Sequence, residues 1–323
     1  MKKFIRRLFM FLLPALLILA AVEAGVRSLP NTYRYKDQWM WKNGNCVSTL
    51  ILGNSHAYFD LMPSVMGDSV FNLSNVSQRL EHDLHLLQRY TEVCPNLKTV
   101  LLVADNSNVF DPPMEDDEPG RATYYQLYMG YKKHSPLSRY GFELASMTSF
   151  RGKIKKLCQD ALDCDSLGWG TAYRAELCNP DDFLPERIRQ HVLTDSAAWH
   201  NNEEKLHEIA AECQRRGLRL VLLMTPVSAD YTRKASKWQL AEVQRMAHRV
   251  QNVYPKVQIA DYSQSTNFTK EDFFDSDHLN DLGAKKFSEI IKEELLLFQR
   301  GEVGIANPLK QREEREMSFS PNS

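Results

Sequence analysis

The chain has 323 residues, with 40 basic and 41 acidic side chains and a formal charge of −1. Hydrophobic residues at 43% and charged residues at 25% exclude a wholly disordered or collagen-like chain. The near-zero charge gives no global electrostatic reason to expect a nucleic-acid partner. A mean hydropathy of −0.43 excludes a polytopic membrane protein but leaves room for one anchor.

The N-terminus has the character of such an anchor. Lys2, Lys3, Arg6 and Arg7 precede an uncharged apolar run over residues 8–22, broken only by Pro14. Charge followed by an apolar stretch is the order of a secretory n-region and h-region. Residues 4–5 and 24–26 extend the run toward the roughly 20 residues that span a bilayer. The segment reads first as an uncleaved signal anchor over residues 1–26. A signal peptide cleaved near Val22-Glu23-Ala24 and a buried helix are the alternatives. Anchor and cleaved peptide agree on topology: the cationic end stays in the cytoplasm, and everything after about Arg27 lies on the periplasmic or extracellular side. Six cysteines (Cys46, Cys94, Cys158, Cys164, Cys178, Cys213) are compatible with export. They allow 15 full pairings; Cys158 with Cys164 is the local one, and buried free thiols are the alternative. No Cys-x-x-Cys occurs, which argues against a structural zinc site.

Residues 27–46 read as a polar, aromatic link. Beyond it, apolar runs alternate with helical patterns. Strands are expected at 47–52, 69–73, 99–104, 218–225 and 257–260, and helices at 79–90, 203–216, 234–250 and 282–298. Gly217 closes the second of these helices. Phe287, Ile290, Ile291, Leu295 and Phe298 form one stripe on the last. Continuous apolar strands alternating with helices imply a parallel five-stranded sheet covered on both faces, a three-layer α/β/α domain of flavodoxin-like kind over residues 47–299. Residues 105–199 are too long for a crossover and read as an insertion after the third strand, packed over the C-terminal edge of the sheet as a lid. Its tyrosines, Tyr124, Tyr125, Tyr128 and Tyr131, form either a small core of its own or a platform for sugar rings. Residues 300–323 are polar and read as a disordered tail.

Ligands of open parallel sheets sit outside the carboxyl ends of the strands. The first strand ends there in Gly53-Asn54-Ser55-His56, where glycine permits a sharp turn and presents the next hydroxyl. Just before the last helix stands Asp275-Ser276-Asp277-His278. A carboxylate and a histidine at i and i+3 in a turn can meet, one ring nitrogen held by the acid and the other facing a serine. Taken singly, the serine is a helix cap, the aspartates are caps, and the histidine is a surface residue. The three together supply nucleophile, orienting acid and base in the order Ser…Asp…His.

The pair of motifs resembles the SGNH (GDSL-like) hydrolase superfamily over about residues 47–298, insertion excepted. Gly53-Asn54-Ser55-His56 looks like its first block, with Asn54 replacing the usual Asp, and Asp275-x-x-His278 matches its last. The resemblance implies Ser55 as nucleophile, His278 as base and Asp275 as orienter, with no cofactor. It also implies two oxyanion donors. Ser77 stands where the family has a glycine that donates a backbone N–H, and Asn106 falls on the amide donor's place within Ala104-Asp105-Asn106-Ser107; Asn108 is a substitute donor. His56 reads as a substrate contact or a packing residue, and Tyr231 as a pocket wall. Asp275, Asp277 and His278 alone make a weak metal site, so no metal is expected.

The anchor, the Gly-x-Ser-His start and the insertion are most similar to exported envelope members that accompany membrane-bound O-acyltransferases in alginate acetylation and teichoic-acid D-alanylation. This similarity implies an exported, membrane-tethered serine esterase or O-acyltransferase. Its substrate would be an acylated envelope glycan or lipid, with a membrane-bound O-acyltransferase as partner. A non-catalytic scaffold that keeps the fold to assist such a partner is the competing class.

Overall fold

The computed structural model describes residues 1–114, 118–132, 141–145, 162–178, 184, 188–189, 191 and 196–299. Cys158 and the tail 300–323 lie outside the described residues, as does part of the insertion. Cys46, Cys94, Cys178 and Cys213 are free thiols. The helices are α1 (Lys2–Ser28), α2 (Thr32–Asn43), α3 (Ser55–Asp60), α4 (Pro63–Met66), α5 (Leu80–Tyr90), α6 (Pro119–Tyr128), α7 (Ser196–Arg215), α8 (Ala229–Lys234), α9 (Lys237–Val253) and α10 (Asp281–Gln299). The strands are β1 (Thr49–Leu52), β2 (Val70–Asn72), β3 (Thr99–Val103), β4 (Arg219–Met224) and β5 (Gln258–Asp261).

Two compact units emerge. The first comprises residues 1–37 and 114–162. Its α1 runs 27 residues, about 40 Å at 1.5 Å per residue, with Glu23 and Val26 its buried residues. An 18-residue window in α1 has a mean hydropathy of 2.3, so the helix is long and apolar enough to cross a membrane. At its C-terminal end the Glu23 carboxylate accepts the backbone N–H groups of Glu143 and Leu144 at 2.9 and 3.0 Å, and Arg27 Nε donates to it at 2.7 Å. Tyr33 packs on Tyr124 and Tyr125 with ring centroids 5.2 and 5.0 Å apart, and Tyr125 and Tyr131 are buried. These tyrosines therefore build a small core.

The second unit, residues 38–113 and 163–323, carries the sheet. Its five strands are all parallel in the order β2-β1-β3-β4-β5, the three-layer α/β/α fold that the alternation of apolar runs and helices implies. Strand residues from Leu50 to Leu52 and from Val100 to Val103 are buried, as expected of strands covered on both faces. One face packs Ile51, Leu101, Val221 and Leu223 against Phe287, Ile291 and Leu295 of α10. The chain leaves β1 toward β2 on one side and reaches β3 on the other. The crevice beyond the carboxyl ends of β1 and β3 is thus the topological switch point, where such sheets open a site.

Two local expectations change. The link contains α2, in which Tyr33, Lys36 and Met40 are buried at helical spacing; the lysine on that stripe hides the pattern from a hydropathy reading. The helix expected over 234–250 is α9 and starts at Lys237, because Ala235 turns extended (ψ 157°) and Ser236 starts a new cap by accepting from Gln239 N–H; the short α8 precedes it.

Candidate active site

Gly53 ends β1 at φ +125°, and a Cβ there would lie 2.9 Å from Val103 Cβ. Only glycine makes this turn so close to β3. Its N–H donates to Asp83 Oδ1 at 2.8 Å. Asn54 then caps α3, its Oδ1 accepting from His56 N–H at 3.1 Å and its amide donating to Ser107 Oγ. Ser55 is the first residue of α3, half-buried, with its N–H among those the helix leaves without an internal acceptor.

The second motif is a tight loop ahead of α10. Phe274 N–H donates to His278 O, Asn280 N–H to Asp272 O, and Leu279 N–H to Asp60 Oδ1, at 2.9, 3.0 and 2.9 Å. Asp275 Oδ1 accepts the N–H groups of Asp277 and His278 at 3.1 and 2.9 Å, which fixes the carboxylate. His278 Nδ1 lies 3.0 and 3.2 Å from the two Asp275 oxygens and its Nε2 2.9 Å from Ser55 Oγ. With Nδ1–H donating to Asp275, Nε2 accepts from the serine hydroxyl. Ser55, His278 and Asp275 are thus brought together across 223 residues of chain. Burial opposes charge on His278, but Asp275 and Asp277 outweigh it and push the imidazole up to about 9.

The insertion reaches this site through its described residues 163–173. Gly170 N–H donates to Tyr58 O at 2.9 Å and Trp169 Nε1 to Phe59 O at 2.6 Å; a Cβ on Gly170 would meet the Tyr58 ring at 2.6 Å, so only glycine lets the chain lie this close. Tyr173 stacks between Phe59 and Phe274, at 3.7 and 4.0 Å, and turns toward His278 edge to face at 5.2 Å.

The remaining expected residues fall out differently. Ser77 adopts φ +58°, the left-handed conformation natural to the glycine it replaces, and among the described residues its N–H meets no acceptor. Asn106 Nδ2 donates one of its two N–H groups to Tyr231 OH at 3.0 Å, and among the described residues its buried Oδ1 has no partner. Asn108 closes the turn after β3: its amide donates to Val103 O at 2.8 Å and its Oδ1 accepts Asp105 N–H at 3.1 Å. Tyr231 is fully buried and, with Met224, Thr225, Val227, Leu240 and Val243, walls a cavity behind Asn106. His56 is 2% exposed and contacts carboxylates. The sequence reading missed Asp105, His191 and Tyr173. Nothing local marks them, since each acts on a group far away in the chain. His56, Asp277 and His278 have ligand-type atoms within 4.8 Å of one another. Those atoms already bond to Asp105, Asp275, Ser55 or each other, so a cation there would compete with one or more of these partners.

No protein-family model matches the chain, and a sequence search of curated proteins finds no match. Among solved structures it is similar to a Streptococcus pneumoniae protein provisionally described as a platelet activating factor, at 11% identity and a TM-score of 0.41 over 80% of this chain and 90% of that one. It is also similar to a Bacteroides fragilis protein provisionally described as an acylhydrolase, at 8% identity and a TM-score of 0.38 over 79% and 93%.

Proposed function

We propose that this chain is a membrane-tethered serine esterase or O-acyltransferase of SGNH type, acting on acyl groups of an envelope glycan or lipid. The observation that carries the reading is the unbroken hydrogen-bonded chain Ser55–His278–Asp275 at the switch point of the sheet. As His278 Nε2 takes the hydroxyl proton, Ser55 Oγ bonds to the acyl carbonyl carbon, and Asp275 holds the imidazolium so formed. In this reading the backbone N–H groups of Ser55 and Ser77 donate to the developing oxyanion. His278 returns its proton to the departing alcohol, and water or a sugar hydroxyl then takes the acyl group from the serine. A membrane-bound O-acyltransferase is the partner this role calls for.

The scaffold reading draws on one observation, the bond that ties one Asn106 amide N–H to Tyr231. Labelling of the intact protein with a serine-directed fluorophosphonate separates the two. The enzyme reading expects one adduct, on Ser55, absent from Ser55→Ala at an unchanged thermal midpoint. A folded parent protein that takes no label establishes the scaffold.

A further inference from the structure

His56 presents one ring nitrogen to each of two carboxylates. Nδ1 lies 2.6 Å from Asp105 Oδ2 and Nε2 3.3 Å from Asp277 Oδ2. A neutral imidazole carries a single N–H and can donate to one of them; only the imidazolium donates to both. The carboxylates are themselves held. Ser107 N–H donates to Asp105 Oδ1 at 2.9 Å, and Asp277 is fully buried between His56, His278 and His191. The His56 ring stands 4.5 Å from the His278 ring, edge to face at 82°.

We propose that His56 is a fixed imidazolium that acts as a positioning residue for Ser55–His278–Asp275, pinning the Asp277 carboxylate behind the loop and setting a positive charge beside the base. Its effect on rate rests on the esterase reading; its charge does not. The groups around His278 show what the charge does. Its own loop contributes the anions Asp275 and Asp277, and the turn after β3 contributes the anion Asp105. From α3 come His56 and Asp60, the latter pushed by burial up to about 7, and His191 is drawn down by burial to about 4, so it stays neutral. Among these described groups His56 is the fixed cation. Without it, burial alone opposes the hold of Asp275 and Asp277 on the His278 proton, and the neutral base becomes scarcer at any given pH.

The test is imidazole nitrogen NMR on the full-length, nitrogen-15-labelled protein in detergent, monitored across a pH titration. Both ring nitrogens of His56 should hold the chemical shift of a protonated imidazole through neutral pH. In His56→Gln, the His278 titration midpoint should rise by about one unit or more, and the acidic limb of ester hydrolysis should move with it. A neutral, single-tautomer His56 at pH 7 overturns the proposal, as does a His278 midpoint that stays or falls in the variant. Should His56→Gln not fold, Asp105→Asn replaces it: His56 should then lose its proton at lower pH, and an unmoved His56 overturns the idea. Because the spectra need no turnover, a protonated His56 in a protein that resists fluorophosphonate sinks the esterase reading and leaves the charge assignment standing.

Discussion

At the scale of single residues, the proposed chemistry turns on which histidine gives up its proton. The Ser55 hydroxyl needs neutral His278, yet Asp275 and Asp277 outweigh the opposing effect of burial and push that imidazole up to about 9. For the free enzyme, kcat/KM on an activated acetate ester should therefore climb about tenfold per pH unit from neutrality and level off above about pH 9. The same raised affinity stabilises the fold below the ordinary histidine range, and that contribution is lost as pH rises through about 9. Asp275→Asn removes the anion that holds Nδ1. The proton then leaves more readily, so the limb should move to lower pH while the plateau falls by about 10⁴-fold, because the imidazole is no longer held in the productive tautomer. A limb that stays fixed in the variant would show that some other group governs the profile.

At the scale of elements, Asp83 shows how a helix secures the turn that bears the serine. It lies on the buried face of α5, and its Oδ1 accepts both Gly53 N–H at 2.8 Å and Gln78 Nε2–H at 2.5 Å, while among the described residues Oδ2 has no partner. Burial pushes this carboxyl up to about 7 against the pull of those two donors. In the unfolded chain it ionises near 3.8, so between 3.8 and about 7 the unfolded state sheds a proton that the folded state keeps, and stability falls as pH rises. Asp83→Asn retains the acceptor and cannot ionise. It should raise the thermal midpoint at pH 8, by the equivalent of about 2 kcal/mol, and the gain should vanish toward pH 4; a gain independent of pH would refute the account. Asp83 is also a measure of what the sequence discloses. The strand, the Gly53 turn and the Asp275-x-x-His278 loop are legible because each is written in a few consecutive residues. Asp83, 30 residues from Gly53, and Asp105, 49 from His56, become meaningful only when the sheet closes. Asn106 sits at the motif position of a donor, yet the buried Tyr231 beside it redirects one of its amide N–H groups. That redirection depends on a helix 125 residues away.

At the scale of the whole molecule, α1 bears on where the proposed chemistry would happen. Its apolar side chains are exposed, Phe11 at 79% and Ile18 at 64%, and so much uncovered apolar surface on one helix is compatible with a place in lipid. The charges ahead of it should keep that end in the cytoplasm and direct the rest of the chain to the outer side. Whether the helix stays attached turns on Glu23. Cleavage after Ala24 would remove the carboxylate that receives Glu143 and Leu144 N–H and the Arg27 guanidinium, leaving two donors in a half-buried turn without an acceptor. The retained anchor is the reading this favours. Intact-mass analysis of membrane-extracted protein should find residues 1–24 present, and alkaline carbonate should leave the chain in the membrane pellet. A reporter that works only outside the cytoplasm, fused after Phe298, should be active. A soluble product beginning near Gly25 would refute the anchor while leaving the outward topology intact; a reporter silent outside and active within would overturn export, and with it an envelope substrate for Ser55.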